Sequence, residues 1–330
     1  VARELARMGH AVTIAGRDGG KAVAAAAALG PRHRGMAADV ADPASCRVAL
    51  AGHGVAVSCA GPFSSLGEVL LQECLVAGCH YVDIADDRAH AARVRGWSGR
   101  FREAGRTAVF GCSSLPGLSG ALALLARGGG EAPPRNARVT LFIGNRNPKG
   151  AAAVRAAVEV LGRPIAAPQG TLRGFGEPEI VELPAPFGRR EVYSFDTPEY
   201  DLFPALLGVS SVAVKVGFEN RMATRVFAAL ARMGTGYGKG TARILSGLGR
   251  LTGTTGHEGG AVLVELKWPD GTARRASLVG YMAALPAALA ATALASGHRG
   301  HPGAMTVYEL LGHRELLQAM AARGYPATRG

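Results

Sequence analysis

Charged, small and hydroxyl-bearing residues recur through the first third of the chain, each group just beyond a short apolar run. Gly16-Arg17-Asp18 follows Ala11–Ala15, and Asp39-Val40 closes the run from Gly35. Cys59-Ala60-Gly61-Pro62-Phe63 ends Val55–Cys59, and Asp86-Asp87 follows Tyr81–Ala85. Ser113, Ser114 and Ser119 surround Pro116-Gly117, just after Thr107–Gly111. An arginine offers a planar fork of donors to a phosphate. Small residues let backbone approach a ligand closely. Carboxyl and hydroxyl groups can hydrogen-bond a small substrate or exchange protons with it.

The elements that would position these groups alternate in type. The apolar runs are strands. Between them lie helices at Lys21–Leu29, Pro43–Ala51, Leu66–Ala77 and Asp87–Glu103, and Leu118–Ala126 begins another. Asp42 precedes Pro43 as an N-cap, and Gly78 stops the third helix. Strand–helix alternation of this length implies a parallel sheet covered on both faces, an α/β, doubly wound, Rossmann-type architecture. Its ligand belongs at the carboxyl ends of the strands, where the candidate residues stand.

In a dinucleotide-binding sheet an acidic residue after the second strand holds the ribose hydroxyls of NAD, whereas an arginine suits the 2′-phosphate of NADP. Arg17 therefore favours NADP over NAD, with Gly16 leaving room for the adenosine. Asp39 and Val40 are placed to meet the adenine, and Asp39 serves equally as a turn residue. The small residues Cys59 to Gly61, with Pro62 and Phe63, would let backbone approach the nicotinamide ribose. Val1–Met8 (VARELARM) reads as a helix with Val1, Leu5 and Met8 on one face. In such a domain this helix follows a glycine-rich turn. The expectation is thus a sheet lacking its first strand and GxGxxG loop, a fragment that alone would be aggregation-prone and bind dinucleotide poorly.

Past Gly128–Pro134, a linker, the texture changes. Strands are expected at Val139–Ile143 and Ser211–Val216, and helices at Ala151–Leu161 and Arg221–Arg232, with a loop-rich stretch from Gly162 to Glu191. Ala261–Trp268 turns through Pro269-Asp270-Gly271 into Ala273–Val279, a hairpin. Helices follow at Tyr281–Ala295 and Thr306–Arg323. This divides the chain into a dinucleotide-binding domain over 1–127, an α+β substrate domain over 128–300, and a C-terminal helical segment over 301–330 that returns to the first domain.

With 330 residues, 48% of them hydrophobic, the chain can bury one large core or two ordinary ones. Its formal charge of +12 comes from scattered arginines. The densest stretch, Arg88–Arg106, is interleaved with Trp97, Phe101 and Glu103 and reads as the solvated face of a helix rather than a nucleic-acid site. The five cysteines form no CxxC pair and no Cys/His cluster with metal-ligand spacing, so no metal is expected. They read as reduced thiols, in keeping with a cytoplasmic protein. The apolar stretch Ala283–Ala295 is too short to span a membrane. No tyrosine is followed by lysine four residues later, which removes short-chain dehydrogenases, and no GxSxG occurs, which disfavours serine hydrolases.

Val55–Asp87, VAVSCAGPFSSLGEVLLQECLVAGCHYVDIADD, resembles the corresponding run of saccharopine dehydrogenase-like proteins, with a CAGP-type turn, an A-G-x-x-Y-V-D segment and then an acidic loop. Leu115-Pro116-Gly117-Leu118-Ser119 is similar to that family's P-G-L-S turn, and Ala15-Gly16-Arg17-Asp18 also matches. The likeness is specific over about Ala11–Ala126. It implies a two-domain NAD(P)-dependent oxidoreductase, hydride chemistry on a small imine, amino-acid or unsaturated substrate, and a homodimer. A non-catalytic NADP-binding sensor or scaffold is the alternative. An enzyme needs polar groups facing the nicotinamide, and Asp86 and Ser114 are the catalytic candidates.

Overall fold

Three aspartates set the starts of three helices. Asp18 accepts the Lys21 N–H and opens α2 (Gly19–Ala27), after α1 (Ala2–Arg7). Asp42 accepts from the N–H groups of Ala44 and Ser45 and opens α3 (Pro43–Leu50). Asp87 accepts the His90 N–H and opens α5 (Arg88–Gly96), which follows α4 (Val69–Val76). Each satisfies donors that a helix start leaves free. The strands preceding these helices are short: β1 (Thr13–Gly16), β2 (Arg34–Ala37), β3 (Val55–Ser58), β4 (His80–Asp83) and β5 (Thr107–Phe110). All run parallel to their partners.

The computed structural model describes residues 1–129, 132–147, 151–234, 237, 255–280, 283–297 and 301–330. The linker expected at 128–134 and the start of the helix expected at 281 fall partly outside them. Two compact units form, one from Val1–Ser113 with Ala283–Gly312, the other from Ser114–Met282 with His313–Gly330.

In the first unit, β1 and β2 make one parallel pair, and a four-stranded sheet has the order β14-β5-β4-β3, with β14 spanning Gly303–Thr306. Among the described residues no strand is hydrogen-bonded between β1 and β3. The two are linked at their starts by His53 Nε2 and Thr13 Oγ1, 2.9 Å apart. The apolar helix α11 (Leu285–Ala295) packs on β3 and β4 and touches α1. Arg88–Gly96 and α6 (Ser98–Glu103) pack against β5 and β14 and bury Val94, Trp97 and Phe101. The arginine-rich stretch is therefore solvated on one face only. Gly35 in β2 lets α2 approach closely, since a Cβ there would meet Val23 backbone at 2.3 Å.

In the second unit, α7 (Ser119–Arg127) and α9 (Glu199–Leu207) cover a seven-stranded mixed sheet. Its central strands are β6 (Asn136–Ile143) and β11 (Ser211–Phe218), which run parallel. The expected hairpin is β12 (Gly260–Lys267) with β13 (Ala273–Gly280), antiparallel and in this separate sheet. The opposite edge is β10 (Gly188–Ser194) with β9 (Glu179–Leu183), and β15 (Ala327–Arg329) closes the other side. The expected long C-terminal helix is divided at Gly312 (φ +78°) into α12 (Val307–Leu311) and α13 (His313–Ala321).

Candidate dinucleotide site

The candidate residues of the first unit stand at the carboxyl ends of its parallel strands. Gly16 ends β1, and a Cβ added there would meet nothing within 4 Å, so the space beside it is open. Arg17 follows, exposed and with no hydrogen-bond or ion-pair partner among the described residues. The neighbouring acid is engaged: Asp18 caps α2 and pairs with Lys21 at 3.0 Å. These bonds hold its carboxyl below the usual range. A free guanidinium beside an open glycine suits an anionic group, while the acid that could bind ribose hydroxyls is occupied.

Asp39 and Val40 are half-buried beyond β2. The Asp39 carboxylate accepts the Ala41 N–H at 3.0 Å, closing an Asx turn, and its own N–H donates to Ser45 Oγ at 2.9 Å. Its side chain thus shapes the turn.

Beyond β3, Cys59 and Gly61 are exposed, and Ala60, Pro62 and Phe63 are half-buried. The Gly61–Pro62 peptide is cis. Phe63 leans on His90, with ring centroids 5.0 Å apart. This contact ties the turn after β3 to the first turn of α5.

His90 belongs to a buried cluster around Asp83. Asp83 Oδ1 accepts the N–H groups of Ala85 at 3.0 Å and Gly111 at 2.7 Å, and Oδ2 lies 3.1 Å from His90 Nε2. A carboxylate that already accepts from two backbone donors needs a donor from the ring, so Nε2 carries the proton. The Tyr81 hydroxyl lies 3.2 Å from the same nitrogen. Burial, then the charge of Asp83, raise the Tyr81 hydroxyl well above its ordinary range, so it stays neutral. Asp83 thus joins the loops after β4 and β5, and His90 carries that support to Phe63. The sequence did not single out His90, which sits in the arginine-rich stretch. The available signal was its place three residues after the capping Asp87, on the side that buries Ala91 and Val94.

Asp86 lies in the loop after β4, with its side chain exposed. The surrounding protein nevertheless desolvates its carboxyl, and Asp87 adds repulsion, pushing it up to about 6. A carboxyl that meets water yet is crowded by protein can change protonation near neutrality. In the second unit, Ser114 opens a wide turn, Ser114–Leu118, and is half-exposed. Ser119 is committed elsewhere: its hydroxyl donates to the buried Glu199 carboxylate at 2.6 Å. Among the described residues no three His, Cys, Asp or Glu side chains come together as a metal site, and no helix is long and apolar enough to cross a membrane.

Residues 1–109 match the saccharopine dehydrogenase NADP binding domain family. No curated protein sequence matches the chain. Among solved structures, the apo saccharopine dehydrogenase (L-Glu forming) of Saccharomyces cerevisiae shares the fold with a TM-score of 0.67 and 13% identity, over 100% of this chain and 97% of the other. The homospermidine synthase of Legionella pneumophila, solved in complex with NAD, aligns with a TM-score of 0.53 and 12% identity over 84% of this chain and 75% of the other. The first 109 residues, a third of the chain, are thus similar to the saccharopine dehydrogenase NADP binding domain. The chain's architecture, a Rossmann-type unit with a second unit built on a large mixed sheet, is that of saccharopine dehydrogenase.

Proposed function

We propose that the protein is an NADP(H)-dependent oxidoreductase acting on a small imine, amino-acid or unsaturated substrate. One observation carries the cofactor reading: Arg17 is unpaired at the end of β1, beside the open space at Gly16, while Asp18 is held by its helix and by Lys21. Arg17 would hold the 2′-phosphate by charge-assisted hydrogen bonds. Asp39 and Val40 would border the adenine. Cys59 to Phe63 would line the nicotinamide end, their position fixed by the Phe63–His90 contact and by Asp83 behind it.

When bound, the dinucleotide supplies or accepts the hydride. The chain's own groups would then handle the accompanying proton and orient the substrate. Asp86 suits the first task, since its carboxyl titrates near 6. The Ser114 hydroxyl suits the second, as a donor to a substrate heteroatom.

The experiment is to incubate the protein with NADPH and a panel of cyclic imines, 2-oxo acids with amines, and enoyl compounds, and to follow NADPH oxidation. Turnover that falls in Asp86→Asn, with NADPH affinity unchanged, is the expected result. Tight NADPH binding with no oxidation across the panel would instead favour a dinucleotide sensor.

A further inference from the structure

The second unit carries an apolar stripe on the outside of a helix whose inner side is already satisfied. The helix α10 (Arg221–Met233) buries Thr224, Phe227, Ala228 and Ala231, and packs against Val158, Leu161, Phe175, Tyr193 and Val216. That inner face accounts for its place in the fold. On the outer face Met222 is 71% exposed, Val226 36% and Met233 80%. With the exposed Ala229 they recur four, three and four residues apart, one line along the helix.

Two features separate this stripe from ordinary scattered exposure. Of the exposed large hydrophobics among the described residues, Met222, Val226 and Met233 share one helix face, whereas Val23, Val48, Val76 and Ile180 stand singly on four other elements. One flank of the stripe is cationic: Arg221, Arg225 and Arg232 are exposed along the same side, and α10 contains no acidic residue. A convex helix face offers no cavity for a small molecule. An apolar line with arginines along one edge, in a chain of net charge +12, complements a surface that is apolar below and anionic above.

We propose that the outer face of α10 docks the protein onto an anionic phospholipid surface. Met222, Val226 and Met233 enter the boundary of the acyl chains, and the three arginines meet lipid phosphates. The helix lies flat, because its inner face stays packed in the unit.

The test uses the full chain and co-sedimentation with vesicles of phosphatidylcholine alone or mixed with phosphatidylglycerol. Binding to the anionic vesicles should exceed binding to the neutral ones by roughly tenfold or more and weaken with added salt. Joint substitution Met222→Gln, Val226→Gln and Met233→Gln should abolish it. So should the separate set Arg221→Glu, Arg225→Glu and Arg232→Glu. The altered side chains are exposed, so the melting temperature should hold in both sets. Equal binding to the two vesicle types, or binding to neither, would overturn the proposal. Self-association that is lost in Met222→Gln while vesicles are ignored would also overturn it, and would assign the stripe to a second copy of the chain.

Discussion

The Asp83 carboxylate accepts the Gly111 N–H at 2.7 Å, which fixes the loop after β4 to the loop after β5 from inside the first unit. The same carboxylate holds His90, and His90 supports Phe63, so one buried acid stands behind the ends of β3, β4 and β5.

Asp83→Ala leaves the N–H groups of Ala85 and Gly111 and one ring nitrogen without their acceptor. Loss of about 2–3 kcal/mol of stability is expected, the scale of a buried donor set losing a charged partner. Urea denaturation checks this, and Asp83→Asn, which retains one acceptor oxygen, should lose less. A midpoint unchanged in Asp83→Ala would show that these bonds do not hold the loops.

Gly35→Ala should destabilise the first unit by about 1–3 kcal/mol, the range for forcing extra volume into a packed contact. The added Cβ would meet main-chain atoms of Ala22 and Val23, which cannot swing aside as a side chain can. Thermal melting of the variant reads the effect. As a control, Gly16→Ala has open space around it and should melt like the parent, while reporting on the adenosine side through NADPH affinity.

Asp86 gives a pH dependence of definite sign. Its carboxyl lies at about 6 in the folded protein against 3.8 for the free group. Between those values the folded state holds a proton that the unfolded state has released, so stability from this group falls as pH rises through the window and is level above it. Asp86→Asn should remove that slope from a series of melts at increasing pH. If Asp86 also serves in proton exchange, a limb near 6 in the pH–rate profile should vanish in the same variant. A slope and limb that persist would remove Asp86 from both roles.

The strand–helix alternation was legible because each strand end carries its own punctuation. Asp42 before Pro43 and Asp87 before the arginine-rich helix cap as their residue types suggest, and Pro269-Asp270-Gly271 turns the hairpin where expected. Less visible were elements whose pattern depends on distant partners. Gly303–Thr306 is too short and too small to announce a strand, and it becomes one by pairing with β5 from far along the chain. Glu199–Leu207 contains Pro204 and reads poorly as a helix, yet buries Tyr200 and Phe203. At the candidate site, Arg17 was singled out by its place after a strand. His90 was not, because its contacts with Asp83 and Phe63 form only in three dimensions. Ser119 looked available beside Pro116-Gly117, and only the structure reveals that Glu199 engages it.

The account turns on Arg17, and titration of parent and Arg17→Ala with NADPH and with NADH tests it most directly. The parent should prefer NADPH, and the substitution should cost NADPH about 1–3 kcal/mol of affinity, the worth of a charge-assisted bond, while leaving NADH unchanged. Equal NADPH affinity in the two proteins would contradict the account and reduce Arg17 to a solvated residue at the end of a strand.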